Sequence, residues 1–442
     1  MKKTLIALAA LATAGVASAQ SSVTLFGVVD LSYENVHTAA GRVSGLAPSA
    51  NSSSRLGFRG VEDLGGGMSA SFWLEAALAP QSGISSSGTT GNNQTTPAAG
   101  ATNLFAGATA GGLTFNRRST VSLSGGFGEI RLGRDYTPTF WNYTIFDPFG
   151  TNGVGATLPS YTGLVSPTFV RASNSIGYFL PGNIGGIYGQ VMYAMGNRPT
   201  TDCAGTAVAG YPACGFGARN AVYGSTSTDT SGNGRYMGGR IGWSQGPINV
   251  AASYGRTRYQ PGTLAISNVL GFAAAGTAFA GGGFTDWSLG GSYTFGSVKA
   301  MAYYSRQRVN DASATTTAAN PFFVVGTQGG PGNTLTYKGW GLGVDWGIGA
   351  GNVLASYSRS AAEGERAAKW ALGYVHNLSK RSAVYAYYSR VTNSSGAAMN
   401  SGSYSSGALS PVAPAASTAL PTAGGNLGGS SYGMNIGLRH AF

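Results

Sequence analysis

The last twelve residues of the chain, 431–442, alternate without a break between apolar side chains and small or polar ones. Successive side chains of a β-strand point to opposite faces, so this alternation predicts a strand with one apolar and one polar face. The apolar face carries Tyr432, Met434, Ile436, Leu438, His440 and Phe442. A rise of ~3.3 Å per residue and a tilt of about 40° project this strand onto roughly 25 Å, the apolar height of a thin bilayer. The segment could therefore cross a membrane once, with lipid on one face and water on the other.

The first nineteen residues have the order of a secretory signal peptide. Lys2 and Lys3 precede the apolar run 5–16, and the small residues Ala17-Ser18-Ala19 follow it. The run is shorter than the roughly 20 apolar residues that a membrane-spanning helix requires. We therefore expect residues 1–19 to be removed and residues 20–442 to form one exported domain, which is periplasmic, secreted or a membrane barrel.

The composition separates these classes. The chain contains 72 glycines, 11% aromatic residues and only 10% charged residues, and its mean hydropathy is +0.02. Strands that alternate lipid-facing with lumen-facing side chains average to such neutrality. The net charge is +12, but the basic residues are spread one or two at a time along the chain. A nucleic-acid partner is therefore not expected.

Turn-like segments alternate with long polar connections. Seven short segments carry the Gly, Pro or Asn of hairpin turns, and eight longer segments separate them. The short ones are 62–67, 125–128, 181–186, 245–247, 295–297, 347–351 and 377–380, and the long ones are 35–54, 81–116, 135–171, 197–234, 259–285, 310–336, 362–366 and 392–430. Fifteen connections join about sixteen strands, which can close into a barrel without exposed edges. The expected fold is an all-β transmembrane antiparallel barrel with short periplasmic turns and long external loops, and the alternative is a soluble β-sandwich.

Charged residues alternate with the apolar residues of several predicted strands. If the apolar Leu56 and Phe58 face lipid, then Arg55 and Arg59 face the interior. The same parity turns inward Arg118, Arg131, Arg171, Arg240, Lys299, Asp30, Glu34, Glu75, Glu129, Asp286 and Asp345. So many ions require a hydrated lumen. A wall rich in arginine favours anions, and the alternative is that these arginines are structural charges paired with Glu75 and Glu129.

The third long connection is too aromatic for a solvated loop and has no strand periodicity. Residues 135–150 read DYTPTFWNYTIFDPFG. Folding inward against the barrel wall would bury these rings and narrow the lumen. In that arrangement we expect Asp135 and Asp147 to lie near the arginines, so that a field crosses the constriction. The alternative is a lid packed on neighbouring loops outside the barrel.

The two cysteines and three histidines of the chain limit which disulfides, metal sites and catalytic sites it can form. Cys203 and Cys214 lie in one stretch rich in Gly, Ala and Pro, and export to an oxidising compartment favours a disulfide between them. Closing a loop of that length is worth about 3 kcal/mol in the chain-entropy relation. Because His37, His376 and His440 are far apart in sequence, we expect no metal site, no cofactor and no catalytic base beside a nucleophile.

Four segments of the mature chain carry a likeness to a known family. They are SSVTLFGVVDLS (21–32), SRLGFRGVEDLGGG (54–67), FNRRSTVSLSGGFGEIRLGRDYTPTFWN (115–142) and GLRHAF (437–442). With these motifs the chain resembles the Gram-negative general porin family, and in particular its anion-preferring branch. The resemblance implies a trimer of sixteen-stranded barrels, an inward third loop, a second loop that reaches a neighbouring subunit, and a role for Phe442 in recognition by the barrel-insertion machinery.

The resemblance also assigns a constriction role by motif position. Its members are Arg55, Arg59, Arg118, Arg131 and Arg134, although alternation leaves the direction of Arg134 open. With Arg171 from parity, they form the expected basic wall, opposite Asp135 and Asp147 of the third loop. The sequence thus predicts a channel in the outer membrane for passive diffusion of small hydrophilic or anionic solutes, a homotrimer in contact with lipid and lipopolysaccharide. A surface adhesin or receptor barrel acting through its long loops is the alternative.

Overall fold

The computed structural model describes residues 22–38, 41–85, 113–166, 168–182, 184–196, 234–258, 279–280, 283–310, 313–314, 334–395, 397, 399, 401–402 and 428–442. The expected signal peptide at 1–19 and the expected disulfide between Cys203 and Cys214 lie outside the described residues. Within these ranges no helix is both long and apolar enough to cross a membrane.

Sixteen antiparallel strands form one closed barrel, as the sequence predicts. They are β1 (Ser22–Thr38), β2 (Arg55–Gly65), β3 (Met68–Ala79), β4 (Arg118–Gly125), β5 (Gly128–Tyr136), β6 (Arg171–Phe179), β7 (Ile187–Ala194), β8 (Arg235–Gln245), β9 (Ile248–Arg258), β10 (Gly283–Phe295), β11 (Val298–Asn310), β12 (Leu335–Ile348), β13 (Gly351–Ala362), β14 (Glu365–Asn377), β15 (Ser382–Asn393) and β16 (Ser430–Ala441). Strand β1 pairs with β2 from Ser22 to Val28 and with β16 from Val28 to His37. This pairing closes the sheet, so no backbone edge faces lipid.

Smaller elements lie in the long connections. Strand Gly41–Pro48 folds back on β1, Ile84–Ser85 pairs with the end of β3, and Phe279–Ala280 pairs with Ser313–Ala314. The third connection contains helix α1 (Pro138–Ile145) and helix α2 (Leu158–Thr162), which continues into a 3₁₀ turn at Gly163–Val165. Both helices have a proline in the first turn, where the missing N–H has no partner to lose.

All seven short turns occur where the sequence places them. Gly246 and Gly296, in the turns after β8 and β10, have φ of 57° and 59°, in the left-handed region that glycine adopts without strain. The tight turns keep consecutive strands in register, and the strand ends that the long connections join all lie at the opposite end of the barrel. That end is external, because barrels of this kind have short periplasmic turns.

The strands present apolar side chains outward and small or polar ones inward. On β4, Val121 is 55% exposed, whereas its neighbours Thr120 and Ser122 are buried. The register of β15 follows the same rule, but its inward positions include Tyr385 and Tyr387. These rings contact other side chains rather than water, so both faces of the strand read as apolar in the sequence.

The third connection folds inside the barrel, as predicted, and the alternative of an external lid is wrong. Tyr143, Phe146 and Phe169 are at most 2% exposed. The Tyr143 ring makes edge contacts with Phe169 and with Tyr303 of β11, at centroid distances of 5.0 and 5.7 Å. Burial of these rings drives the segment into the lumen, because aromatic side chains contribute the largest apolar areas.

Polar contacts anchor this inner segment to the wall formed by β8–β14. Arg240 Nε donates to Asn142 Oδ1 at 2.6 Å. The Tyr143 hydroxyl donates to Asp286 Oδ1 at 2.7 Å. Lys369 Nζ donates to the carbonyl oxygen of Ala156 at 2.7 Å. These strand charges are thus engaged with the segment, which fixes its position across the lumen.

Inward glycines leave the space into which the segment packs. A Cβ atom at Gly290 of β10 would lie 2.2 Å from the Phe146 ring, and one at Gly343 of β12 would lie 2.5 Å from Pro148. Both distances are shorter than any real contact of a Cβ atom, and Phe146 is too well packed to move aside. The barrel wall is therefore shaped for this segment.

Candidate functional site

A cavity of about 720 Å³, lined by charged and aromatic side chains, separates the inner segment from the wall formed by β1–β6. On the wall it is lined by Arg55, Arg117, Arg118, Arg134, Arg171, Glu75 and Asp135. On the inner segment it is lined by Phe140, Trp141, Thr144, Thr151, Asn152 and Ser166. We call the five arginines of this lining the arginine wall. The cavity is the narrowed part of the lumen and hence the candidate functional site.

One half of the arginine wall is organised by Glu75 and Tyr136. Arg117 Nε lies 2.5 Å from Glu75 Oε1 in a buried ion pair, and Arg117 Nη2 donates to the Tyr136 hydroxyl at 2.6 Å. Arg171 Nη2 donates to the same hydroxyl at 2.5 Å, and its guanidinium lies 4.2 Å from the Tyr136 ring centre. One tyrosine thus holds two guanidinium groups side by side, and only one of them is paired with Glu75.

The other half is organised by Asp135. Its Oδ2 accepts from Arg131 Nη1 at 2.5 Å, and its Oδ1 lies 3.7 Å from Arg118 Nε. Arg131 also makes two contacts with Glu129, at 3.0 and 2.9 Å. Arg118 in addition lies 4.5 Å from the Trp73 ring. Asp135 therefore lies on β5 within the arginine row, and not opposite that row on the third loop as the sequence expectation has it. Arg131 does not line the cavity. Arg131, an expected member, and Arg117, an observed one, form structural pairs with carboxylates.

A β-bulge decides the direction of Arg134. The pairing of β5 with β6 shifts between Gly133 and Asp135, and Gly133 adopts a φ of 127°. Arg134 then lines the cavity, with Nε donating to the Asn116 carbonyl and Nη1 donating to Ser173 Oγ, both at 2.6 Å. Alternation leaves this residue ambiguous because a bulge interrupts the period of two.

The remaining expected members lie at the edge of the site. Arg59 does not line the cavity; it packs over the rings of Phe26 and Trp73, at 5.4 and 5.3 Å. Arg55 lines the cavity and, like Arg171, has no described carboxylate within 4 Å. The cavity lining thus holds five arginines and two carboxylates, an excess of three positive charges.

Asp147 does not face the arginine wall, which corrects the sequence expectation. Its side chain is 3% exposed and accepts three hydrogen bonds within the inner segment, from Phe149 N at 2.9 Å, Thr157 N at 3.0 Å and Thr157 Oγ1 at 2.9 Å. Burial raises the pKa of the Asp147 carboxyl, against the effect of these donors and of the nearby Lys369. Asp147 organises the turn of the segment instead.

The face opposite the arginine wall is consequently neutral. Asp147 is the one acidic residue in the sequence from 137 to 170, and it points into the segment's own packing. Trp141, Thr144 and Asn152 line the cavity in its place. A field between opposed charges does not arise across this passage. Ions in it experience one sign of excess charge, which attracts anions and repels cations.

Sequence reasoning missed Arg117 and Tyr136. Arg117 precedes the first residue of β4, so strand parity does not apply to it, although the Arg-Arg pair at 117–118 marks the position. Tyr136 ends β5 beside the bulge, where alternation has already failed. Both residues belong to the site only because the folded chain brings Arg117 and Arg171 to the Tyr136 hydroxyl.

The backbone of Phe442 completes the barrel. Its N–H donates to the Gly27 carbonyl at 3.1 Å, and its carbonyl accepts from Gly27 N at 3.0 Å. The ring covers Gly27, where an added Cβ would lie 2.3 Å from Phe442 Cζ. Phe442, the last residue, is therefore joined by its backbone and its ring to β1, the strand that closes the sheet.

A closed transmembrane barrel whose hydrated lumen is narrowed by an inner segment defines a channel protein of the membrane. A family described as Gram-negative porin matches residues 4–396. The chain belongs to the Gram-negative porin family, whose members lie in the outer membrane.

Individual relatives agree with this assignment. Outer membrane porin protein 32 of Delftia acidovorans is 32% identical over 455 residues, covering 100% of both chains. The solved structure of an anion-selective porin from Comamonas acidovorans has a TM-score of 0.66 and 29% identity, and the match covers 96% of this chain and 100% of that one. A trimer form of OmpT from Vibrio cholerae shares the fold, with a TM-score of 0.53 and 13% identity over 96% of this chain and 99% of that one.

Proposed function

We propose that this porin is a passive diffusion channel for small hydrophilic solutes and prefers anions. The observation that carries the preference is the one-signed constriction, in which the arginine wall faces a neutral segment across the cavity. Arginine stays charged at any working pH and presents donors suited to carboxylate and phosphate groups. An anion therefore exchanges water for arginine contacts along this wall, whereas a cation finds no opposing carboxylate on the segment.

The relatives support this proposal. The Comamonas acidovorans porin is described as anion-selective, and it is 29% identical to this chain. Similar charge in this constriction would give similar selectivity.

We further propose a homotrimer that contacts outer-membrane lipid and is recognised by the insertion machinery through Phe442. The trimer form of OmpT, an outer membrane protein of Vibrio cholerae that shares the fold, supports the assembly state. The pairing of Phe442 with Gly27 supports an assembly role, since the last residue contributes to barrel closure. A disulfide between Cys203 and Cys214 remains the expectation for the fourth loop.

Conductance in planar bilayers tests the channel. Purified protein should give discrete steps that come in threes, and the heat-denatured protein should give none. Protein that inserts, as shown by its protection from protease in vesicles, but conducts nothing would overturn the proposal. In that case the alternative of an adhesin acting through the long loops would gain weight; no feature of the described residues favours it now.

A further inference from the structure

A short motif, tyrosine followed by serine or glycine and then arginine, recurs at the external ends of four strands. It occurs as Tyr254-Gly255-Arg256 on β9, Tyr304-Ser305-Arg306 on β11, Tyr357-Ser358-Arg359 on β13 and Tyr388-Ser389-Arg390 on β15. Residues two apart in a strand share a face, so each arginine lies on the same face as its tyrosine. The tyrosines are 38–50% exposed and the middle residues are buried. The motif therefore faces outward, away from the lumen.

The tyrosines of the motif belong to an aromatic girdle at the external end of the lipid-facing surface. Trp287 packs on Tyr304 at 5.4 Å, Trp340 on Tyr357 at 5.5 Å and Trp370 on Tyr388 at 5.3 Å. Such girdles mark the boundary between hydrocarbon and headgroups. Each arginine lies two residues further along its strand, roughly 6.6 Å closer to the external loops. The arginines are thus at the level of the lipid headgroups of the outer leaflet.

The positive charge is densest on β9–β12. In the strand register Arg256 is opposite Thr285, which is opposite Arg308, so the two arginines flank one threonine about 10 Å apart across two strand spacings. Arg306 is directly opposite Lys338. We call Arg256, Arg306, Arg308 and Lys338 the outer basic surface. Its three arginines line a shallow cavity of about 340 Å³ together with Thr285 and Trp287.

The described part of the chain supplies no counter-charge to this surface. None of its four residues forms an ion pair with a described carboxylate. Arg306 Nε is buried and has no hydrogen-bond partner among the described residues. Like charges directly opposite on neighbouring strands destabilise a sheet, and arginine cannot relieve the repulsion by losing its proton. Within the described residues, this surface is therefore open to anions from outside.

We propose that the outer basic surface binds the phosphate groups of the phosphorylated glycolipid of the outer leaflet. Guanidinium groups pair with phosphate through two parallel hydrogen bonds, and the spacing of Arg256 and Arg308 allows one phosphate group to lie over Thr285 between them. The girdle below, with Trp287 and Tyr254, provides apolar contact for the sugar and the first acyl carbons. This proposal rests on the outer-membrane location of the barrel and is independent of its ion selectivity.

The test is lipid binding measured by native mass spectrometry on protein in detergent, with bisphosphorylated lipid A as the probe. The wild-type protein should bind this lipid at least tenfold more tightly than the same lipid after its phosphates are removed. Each basic residue near a charged lipid surface strengthens binding, so Arg256→Gln with Arg308→Gln should weaken binding of the phosphorylated lipid by about tenfold or more. Equal affinity of the wild-type protein for both lipids would overturn the proposal, and that comparison needs no variant.

A matched control removes the same charge at the other rim of the barrel. Lys380 and Arg381 are exposed in the short periplasmic turn between β14 and β15. Lys380→Gln with Arg381→Gln should leave lipid A binding unchanged, and an equal loss in this control would mean that net charge, not the outer basic surface, holds the lipid. The Arg256 and Arg308 variant should also keep the wild-type ion selectivity, because its substitutions lie outside the lumen. A failure of the lipid proposal is thereby distinguishable from a failure of the channel proposal.

Discussion

Neutralising Arg55 and Arg171 should remove most of the anion preference of the channel. Both guanidinium groups line the cavity, and neither has a described carboxylate within 4 Å. Arg55→Gln combined with Arg171→Gln therefore removes two of the three excess charges and leaves no carboxylate without its partner. Tyr136 keeps its hydrogen bond from Arg117, so the wall retains its organisation.

The expected magnitude follows from Coulomb's law with screening. One charge at roughly 8 Å from a permeating ion is worth about 0.5 kcal/mol in water, and salt at about 0.1 M lowers this to about 0.2 kcal/mol. Three charges then separate an anion from a cation by about 1.4 kcal/mol, which is about tenfold in the permeability ratio. The variant keeps one excess charge, so its ratio should fall to about twofold.

Reversal potentials of single channels in a KCl gradient measure this ratio. Arg55→Lys with Arg171→Lys should keep the preference, because the charge remains. Arg256→Gln with Arg308→Gln, which removes the same charge from the outer surface, should not change it. At about 1 M salt, where the Debye length is about 3 Å, the wild-type and neutralised channels should become alike. The reasoning is refuted if the neutralised channel keeps the wild-type ratio, or if the outer variant loses as much.

Three further changes test other parts of the structure. Gly290→Ala places a Cβ against Phe146 and should destabilise the folded barrel by about 1 to 3 kcal/mol. In gel electrophoresis the folded band should then disappear at a lower temperature. Gly347→Ala is the control, because the atom nearest to its added Cβ is 3.6 Å away, and it should leave that temperature unchanged. Burial raises the pKa of Asp147, so the folded protein binds the proton of this carboxyl more tightly than the unfolded chain does. The free energy of unfolding should therefore fall as pH rises through the acidic range, and Asp147→Asn should flatten this slope without altering ion selectivity. An unchanged slope would contradict the burial of Asp147 inside the segment. Deleting Phe442 removes two backbone hydrogen bonds to β1 and should reduce assembled barrel in cell membranes more than refolding in detergent; equal loss in both assays would argue against a recognition signal.

The strand order and the turns could be predicted because local chemistry determines them. Hairpin turns need glycine, as at Gly246 and Gly296, and lipid-facing positions need apolar side chains, as at Val121. Alternation failed where a strand faces the inner segment instead of water. The inward Tyr385 and Tyr387 of β15 are the example, because contact with protein makes an apolar side chain acceptable on the lumen side.

The arginine wall was predictable as a cluster but not in its detail. Strand parity located Arg55, Arg118 and Arg171, which line the cavity, and it could not place Arg134 beyond a bulge that exists only in the paired strands. Asp147 was misplaced because no periodicity governs a loop. Its direction follows from the three donors that surround it in the folded segment.

The residues of the outer basic surface are easy to see in the sequence, but their role is not. The repeated tyrosine and arginine are visible in the sequence, as at Tyr304 and Arg306. Their meaning is not, because the sequence does not show that Arg306 faces Lys338 across the sheet with no described carboxylate nearby. Pairing register, rather than composition, turns the motif into a candidate binding surface.

The most direct measurement is the sign of the reversal potential of the wild-type channel in a KCl gradient at low ionic strength. A passage whose excess charge is carried by arginine, with a neutral segment opposite, should give the sign set by chloride. A sign set by potassium would show that the arginine wall does not govern the passage and would contradict the account.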